Sequence, residues 1–224
     1  MTKQFWIILA VIAAVFVGIV VYSNNKKSDN GSSNTTSTAA VTHHVEGKGT
    51  TGVKLQEYGD YQCPICGDFY QAVKQVVAKY NDQITFQFSN LPLTQLHPNT
   101  MAASRAAEAA GLQGKYWEMH DLLYTNQNAW AGSSNAQAIF EGYAQQLGLN
   151  MTQFKKDYSS QKVNNAINAD VAAFKKTGDP EATPTFYLDG KKLDNTSLMD
   201  SNGPSVAKFS KVIDAEIAKK TQDK

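Results

Sequence analysis

The spacing of apolar residues predicts a strand, a helix and a second strand in residues 53–91. Residues 53–58 (VKLQEY) and 84–91 (ITFQFSNL) alternate between apolar and polar side chains, which is the period of a half-buried β-strand. Between these two runs, apolar residues recur at intervals of three and four, as on the buried face of an amphipathic helix: Phe69, Ala72, Val73, Val76, Val77 and Tyr80. Two strands joined by one helix indicate a parallel βαβ unit.

Helical periodicity dominates the next part of the chain, and the strand period returns after it. The helices are predicted over residues 98–112, 116–124 and 135–147, from the N-cap Asn150 onward, and over 163–174. Residues 185–188 and 191–193 then flank Asp189-Gly190, a strong hairpin signal, and an amphipathic helix follows Pro204. This order predicts an α/β fold with a helical insertion at about residues 95–177.

Two segments of different composition precede these elements. Residues 5–22 contain no charged side chain, and as a helix their 18 residues would rise about 27 Å, close to the thickness of a bilayer's hydrocarbon core. We expect residues 1–22 to be an uncleaved membrane anchor, with a cleaved secretory signal as the alternative. Residues 23–52 are rich in Ser, Thr, Asn and Gly, and they are predicted to be a flexible tether to a working domain at residues 53–224.

Charge and cysteine content exclude several classes of protein. The chain has 21 Lys and Arg against 20 Asp and Glu, so it lacks the basic excess by which proteins bind nucleic acid. Two cysteines are too few for a disulfide-rich scaffold, and no Cys/His cluster has the spacing of a zinc site. We therefore predict neither a metal nor a cofactor.

The two cysteines lie three positions apart, in Cys63-Pro64-Ile65-Cys66, where the first predicted strand gives way to a helix. The N-terminus of a helix favours an anion, so a cysteine there becomes a thiolate more easily. Pro64 suits the first helical turn, where its missing N–H is no loss. We interpret Cys63 as the accessible, attacking sulfur and Cys66 as the sheltered, resolving one. A structural disulfide or an unreactive pair is the alternative.

A Thr183-Pro184 pair stands at the start of the later strand, and a helical insertion separates the two halves of the predicted sheet. Together with the C-P-x-C motif at residues 63–66, these features make residues 53–220 resemble the DsbA-like thiol:disulfide oxidoreductases of the thioredoxin superfamily. The resemblance implies a thioredoxin-like fold with a helical insertion domain. It also implies that Pro184 forms a cis-proline loop against the cysteines and that the backbone of Thr183 pairs with substrate. Glu57 stands where such proteins carry a buried acid that takes the proton of Cys66.

The sequence departs from this family at one position. The strongly oxidising members have a histidine where this chain has Ile65, which neither donates a hydrogen bond nor carries charge. We therefore expect a less stabilised Cys63 thiolate and a reduction potential between about −270 mV for thioredoxin and about −120 mV for DsbA. His97 and His120 are interpreted as packing residues, because a thiolate at a helix end needs no separate base.

We expect the chain to donate the Cys63–Cys66 disulfide to cysteine-containing exported proteins. Disulfides persist outside the cytoplasm, so the N-terminus would be cytoplasmic and the catalytic domain extracytoplasmic in a single-pass membrane protein, or secreted if the first segment is cleaved. The resemblance implies a membrane quinone-linked thiol oxidase as the partner for reoxidation. A reductase or isomerase with the same residues, and a non-catalytic tethered binding module, remain alternatives.

Overall fold

The computed structural model describes residues 44–222. The predicted anchor at residues 1–22, and most of the predicted tether, lie outside the described residues. Within 44–222, no helix combines the length and the apolar character needed to cross a membrane.

A five-stranded sheet positions the Cys63–Cys66 motif and the Thr183-Pro184 pair. Its strands are β1 (His44–Glu46), β2 (Val53–Gly59), β3 (Ile84–Asn90), β4 (Thr185–Leu188) and β5 (Lys191–Lys192), in the spatial order β1-β3-β2-β4-β5. Strands β2 and β3 are parallel and are joined by helix α1 (Pro64–Lys79), so the predicted βαβ unit is confirmed. The other neighbouring strands pair antiparallel.

Both faces of the sheet are covered. Val53 and Leu55 of β2 lie in the main core with most of the apolar stripe predicted for α1, and all members of that stripe are buried. Helix α8 (Val206–Gln222) packs against α1. On the opposite face, Tyr58 and Tyr187 form a smaller cluster with Phe174 of the insertion. Because side chains alternate along a strand, Glu57 shares the face of Val53 and Leu55 and is buried there.

Six helices lie between β3 and β4, where the helical insertion was predicted. They are α2 (Thr100–Gly111), α3 (Tyr116–Thr125), α4 (Gln127–Trp130), α5 (Ala136–Gln146), α6 (Met151–Tyr158) and α7 (Gln161–Lys175). The alanine-rich α2 packs against α3, α5, α6 and α7, because its small side chains allow neighbouring helices to approach. Asn150 caps α6 as predicted, with its side chain accepting a hydrogen bond of 3.0 Å from the Gln153 N–H.

The predicted hairpin is also confirmed. Asp189 and Gly190 connect β4 to β5 with φ angles of 49° and 78°, the positive values that a tight turn of this kind requires. A short 3₁₀ helix (Asn195–Leu198) and a second, two-stranded sheet of β6 (Met199–Asp200) and β7 (Gly203–Pro204) follow before α8.

The end of the predicted tether is folded, which corrects the expectation for residues 44–52. Strand β1 pairs with the edge of β3, and the Lys48 N–H donates to the Asn81 carbonyl at 2.7 Å. The His44 ring lies 3.0 Å from the Glu108 carboxylate and stacks on Tyr116 with ring centroids 3.3 Å apart. The composition of this segment suggested disorder, but main-chain hydrogen bonds and one histidine hold it in place.

Candidate active site

The Cys63-Pro64-Ile65-Cys66 segment forms the first turn of α1, as its position in the sequence predicted. Strand β2 ends at Gly59, a short turn follows, and Cys63 is the N-cap residue with Pro64 at the first helical position. The Cys63 N–H donates to the Asp60 carbonyl at 3.1 Å, which closes the turn. The sulfur of Cys63 therefore lies at the positive end of the α1 dipole.

The two cysteines are free thiols with very different surroundings. Cys63 keeps 6% of its surface exposed, whereas Cys66 has none. A hydrogen bond from the Cys66 thiol, helped by the backbone N–H groups of Cys66 and Ile65 and opposed by partial burial, lowers the pKa of Cys63 from its usual 9.0 to about 6. Burial raises the pKa of Cys66 well above its usual value. The first turn of α1 thus holds a stabilised thiolate at the slightly exposed Cys63 and a neutral thiol at the fully buried Cys66.

Thr183 and Pro184 lie beside Cys63. The peptide bond between them is cis, and the Cys63 sulfur is 3.5 Å from the Thr183 carbonyl oxygen. Asn195 donates from its side-chain amide to the Pro184 carbonyl at 2.7 Å, which fixes the other side of this loop. The structure therefore brings together residues that are about 120 positions apart in the chain.

Glu57 is buried on the same side of the sheet as the cysteines. Burial, with a further contribution from the negative charge of Cys63, raises its pKa from the usual 4.5 to about 8. The charge of Glu57 in turn contributes to the raised pKa of Cys66. Glu57 and the two sulfurs therefore form one electrostatically coupled group, in which the carboxyl is neutral at neutral pH.

The rim around Cys63 is apolar. Ile65 is 53% exposed, and the neighbouring Pro64 is also exposed. Neither side chain has a polar atom, so the stabilisation of the thiolate comes from Cys66, from Thr183 and from the backbone N–H groups of the turn.

Two residues that the sequence analysis missed fix the backbone of this turn. The buried Asp60 accepts hydrogen bonds from the Gln62 N–H at 2.8 Å and the Leu93 N–H at 2.9 Å, and it also bonds to Thr100. Gln127 of α4 donates to the carbonyl of Tyr61 at 2.7 Å and to that of Cys63 at 2.9 Å. Asp60 stands directly between β2 and the cysteines, and this position could have indicated its role in the turn. Nothing in the sequence near Gln127 indicated such a role.

The two histidines that were interpreted as packing residues occupy different settings. The Nδ1 atom of His97 lies 2.8 Å from an oxygen of Asp60, so His97 helps to hold the turn before Cys63. His120, on α3, is buried and lies among aromatic rings, with Phe88 at 4.9 Å and Tyr124 at 5.1 Å between ring centroids.

Comparison with known sequences identifies a family and partial relatives. The sequence model of a protein family described as Thioredoxin matches residues 39–215. The Na(+)/H(+) antiporter NhaA 1 of Salinispora arenicola is 36% identical over 149 residues, which are 66% of this chain and 22% of that protein. The chain thus spans about a fifth of the length of this curated relative, and the antiporter name describes the longer protein.

Comparison with solved structures gives the same fold. The structure of alpha-DsbA1 from Wolbachia pipientis matches with a TM-score of 0.66 at 19% identity, over 81% of this chain and 94% of that chain. MdbA from Actinomyces oris, a thiol-disulfide oxidoreductase, matches with a TM-score of 0.62 at 18% identity, over 80% and 89% of the two chains. At these identities the similarity shows a shared fold.

The raised pKa of Glu57 predicts a pH-dependent stability. Between its unfolded value of 4.5 and its folded value of about 8, the Glu57 carboxyl binds a proton in the folded protein and not in the unfolded chain, so its contribution to stability falls as pH rises through this window. The slope is up to about 1.4 kcal/mol per pH unit. Glu57→Gln removes this contribution, so between about pH 5 and pH 6, below the titration of Cys63, we expect a flatter stability curve, and near pH 7 a higher free energy of unfolding, in denaturant titrations of the reduced protein.

A matched control separates this effect from a general loss of charge. Glu118 lies on the surface of α3, where its hydrogen bond with Lys115 lowers its pKa. Glu118→Gln should therefore keep the wild-type slope between about pH 5 and pH 8. Parallel curves for the wild type and Glu57→Gln would contradict the burial of an ionisable carboxyl at this position.

The hydrogen bond from Cys66 predicts the acidity of Cys63. Because this bond is the largest contribution to the lowered pKa, Cys66→Ala should raise the pKa of Cys63, whereas Cys66→Ser keeps a donor and should leave it low. The measurement is the rate of alkylation of Cys63 by iodoacetamide as a function of pH, with a wild-type midpoint near 6. Equal midpoints for the alanine and serine variants would show that the bond does not set the acidity.

Proposed function

The chain belongs to the thioredoxin family and has the DsbA-like form of its fold, and we propose that it is an extracytoplasmic thiol:disulfide oxidoreductase that donates the Cys63–Cys66 disulfide to exported proteins. The observation that carries this proposal is the contrast between the two thiols. The pKa of Cys63 is lowered to about 6, and the pKa of the fully buried Cys66 is raised. Such a pair defines which sulfur is attacked and which is released.

The cycle begins when a substrate thiolate attacks the Cys63 sulfur of the disulfide. A substrate–Cys63 bond forms, the Cys63–Cys66 bond breaks, and Cys66 leaves as a thiolate. Because burial disfavours charge on Cys66, this sulfur takes a proton, and the protonated carboxyl of Glu57 is the acid coupled to it.

A second substrate thiolate completes the transfer. It attacks the substrate sulfur that is bound to Cys63, so the substrate disulfide forms and Cys63 leaves as a thiolate. A thiol with a pKa of about 6 is a good leaving group at neutral pH. In sum, two electrons pass from the substrate dithiol to the enzyme; Cys66 gains one proton, and the second proton of the dithiol goes to solvent because Cys63 stays a thiolate.

The loop at Thr183 and Pro184 is the proposed substrate-binding element. It lies against the Cys63 sulfur, so an extended substrate segment bound along this loop would bring its own sulfur to Cys63. The exposed Ile65 and Pro64 offer an apolar surface beside it. Sequence-tolerant backbone pairing and an apolar rim suit a protein that acts on many unfolded substrates.

We place the reaction outside the cytoplasm, because a dithiol oxidant works where disulfides persist. In this proposal, residues 1–22 anchor the chain in the membrane with a cytoplasmic N-terminus. A membrane quinone-linked thiol oxidase would restore the disulfide after each cycle. The family resemblance and the apolar run in the sequence support these two proposals.

The direction of electron flow depends on the reduction potential of the Cys63–Cys66 pair. Ile65 affects this potential because its side chain cannot stabilise the Cys63 thiolate. The pKa of Cys63, about 6, lies between values of about 7 for thioredoxin and about 3.5 for DsbA. A more stable thiolate stabilises the reduced enzyme and makes it more oxidising, so we expect a potential between about −270 and −120 mV. The measurement is the redox equilibrium of the full chain in glutathione buffers of graded ratio.

The two ends of this range of reduction potentials favour different functions. A value well above that of the glutathione pool supports the disulfide donor. A value at or below that of thioredoxin would contradict it and would favour the reductase, kept reduced by an electron supply across the membrane.

Because the two sulfurs have different roles in this cycle, substituting one cysteine should have a different effect from substituting the other. Cys63→Ser should abolish oxidation of a reduced peptide, because no sulfur remains for attack. Cys66→Ser, mixed with a disulfide-bonded substrate peptide, should accumulate mixed disulfides: its Cys63 thiolate attacks the peptide disulfide and displaces one peptide thiolate, and no resolving sulfur remains to release the adduct. Non-reducing electrophoresis with mass spectrometry detects these adducts, with the double serine variant as the control. If both single variants kept wild-type activity, the two cysteines would not be the reactive pair.

A further inference from the structure

A cavity of about 70 Å³ leads from Glu57 toward the protein surface. It lies between the sheet, α1 and α3, and its buried wall includes Glu57, His120 and Tyr124. A buried water occupies at least about 10–15 Å³ of such space, so the cavity has room for a short file of water molecules. Its polar lining provides the partners that ordered water requires.

Buried polar atoms face this space. Among the residues that the structure describes, neither ring nitrogen of His120 has a hydrogen-bond partner, and neither does the hydroxyl of Tyr124. The Nδ1 atom of His120 lies 3.6 Å from an oxygen of Asp121, beyond hydrogen-bond distance. Leaving buried polar groups without partners is unfavourable, so water in the cavity is the expected partner.

The other end of the cavity is polar and open to solvent. Lys74 and Asp121 line it, with side chains that are 53% and 39% exposed, and they form an ion pair. Tyr70 donates to Asp121 at 2.8 Å, and Glu46 of β1 also lines this part. Groups that can carry a proton therefore line one cavity together with the exposed Lys74 and Asp121 and the buried Glu57.

We propose that His120 relays protons between solvent at the Lys74–Asp121 end of the cavity and the carboxyl of Glu57. This inference rests on the proposed function, because only a redox cycle loads and unloads Glu57 repeatedly. His120 touches neither substrate nor sulfur in this proposal; it acts through Glu57.

The proposed relay must supply Glu57 with one proton in each redox cycle and later remove one. When substrate releases Cys66 as a thiolate, Glu57 gives up its proton and becomes a buried carboxylate. A proton then moves from solvent to one nitrogen of His120 while the other nitrogen gives its proton, through cavity water, to Glu57. When the enzyme is reoxidised, the same route runs outward and releases the proton of Cys66. No net charge accumulates in the core.

The surroundings keep His120 in the form that a relay needs. Burial lowers the pKa of His120, so the ring is neutral at neutral pH and has one donor and one acceptor nitrogen. Burial raises the pKa values of Tyr70 and Tyr124, which stay neutral phenols, and that of Glu46. The opposite charges of Lys74 and Asp121 offset each other at the entrance.

The test compares rates with equilibria in the full chain. His120→Phe keeps a ring among the aromatic residues but removes both nitrogens. We expect oxidation of dithiothreitol by the disulfide form to slow about tenfold or more near neutral pH, because positioned proton-transfer groups contribute about 10²–10⁴-fold. The Cys63–Cys66 reduction potential should stay unchanged, since a relay alters rates and not end states. An unchanged rate, or an equal change in both quantities, would overturn the proposal.

Two further variants exclude a purely structural role. In a Glu57→Gln background, His120→Phe should slow the reaction no further, because the relay then has nothing to protonate; a full additional loss would overturn the proposal. Trp117→Phe changes the same cavity wall without removing a proton carrier and should keep the wild-type rate. A loss equal to that of His120→Phe would assign the effect to cavity shape instead. A wild-type protein that oxidises no dithiol would refute the proposed function itself.

Discussion

The first turn of α1 must keep two chemically identical thiols in opposite protonation states, and the site is organised around this constraint. Cys63 sits at the N-cap, where backbone N–H groups and the Cys66 thiol stabilise its negative charge. Cys66 lies one turn further in, where burial disfavours charge. Because the fully buried Cys66 thiol is also a hydrogen-bond donor to Cys63, negative charge is confined to the more accessible of the two sulfurs. A spacing of three residues on a helix is enough to produce both environments.

The turn keeps this geometry because distant parts of the chain hold its backbone. Asp60 ties the segment before Cys63 to the loop that follows β3, and Gln127 of the helical insertion binds the carbonyl of Cys63 itself. The cis peptide bond at Thr183-Pro184 closes the site from the other half of the sheet. The insertion is therefore part of the active-site framework, since a functional residue is only as well placed as the groups that support it.

The sequence predicted the features that depend on local spacing. The βαβ unit, the buried stripe of α1, the cap at Asn150 and the turn at Asp189-Gly190 each follow from a short pattern, and the structure contains them. It did not reveal β1, because main-chain hydrogen bonds to a strand edge leave little trace in composition. Gln127 and the cavity beside His120 were missed for a related reason: their roles arise from contacts between residues far apart in the chain.

The buried carboxyl of Glu57 affects both the stability of the fold and the protonation of Cys66. An apolar residue on this face of β2 would pack against Val53 and Leu55 without the unfavourable burial of a carboxyl. Such a core would be more stable near neutral pH, yet it would leave Cys66 without an acid in a place that bulk water does not reach. The cavity beside Glu57 also lowers stability, because its open space and the ring nitrogens of His120, which have no hydrogen-bond partner among the described residues, weaken the packing of the core. The least favourable packing in this part of the core thus coincides with the route that a proton must take to Cys66.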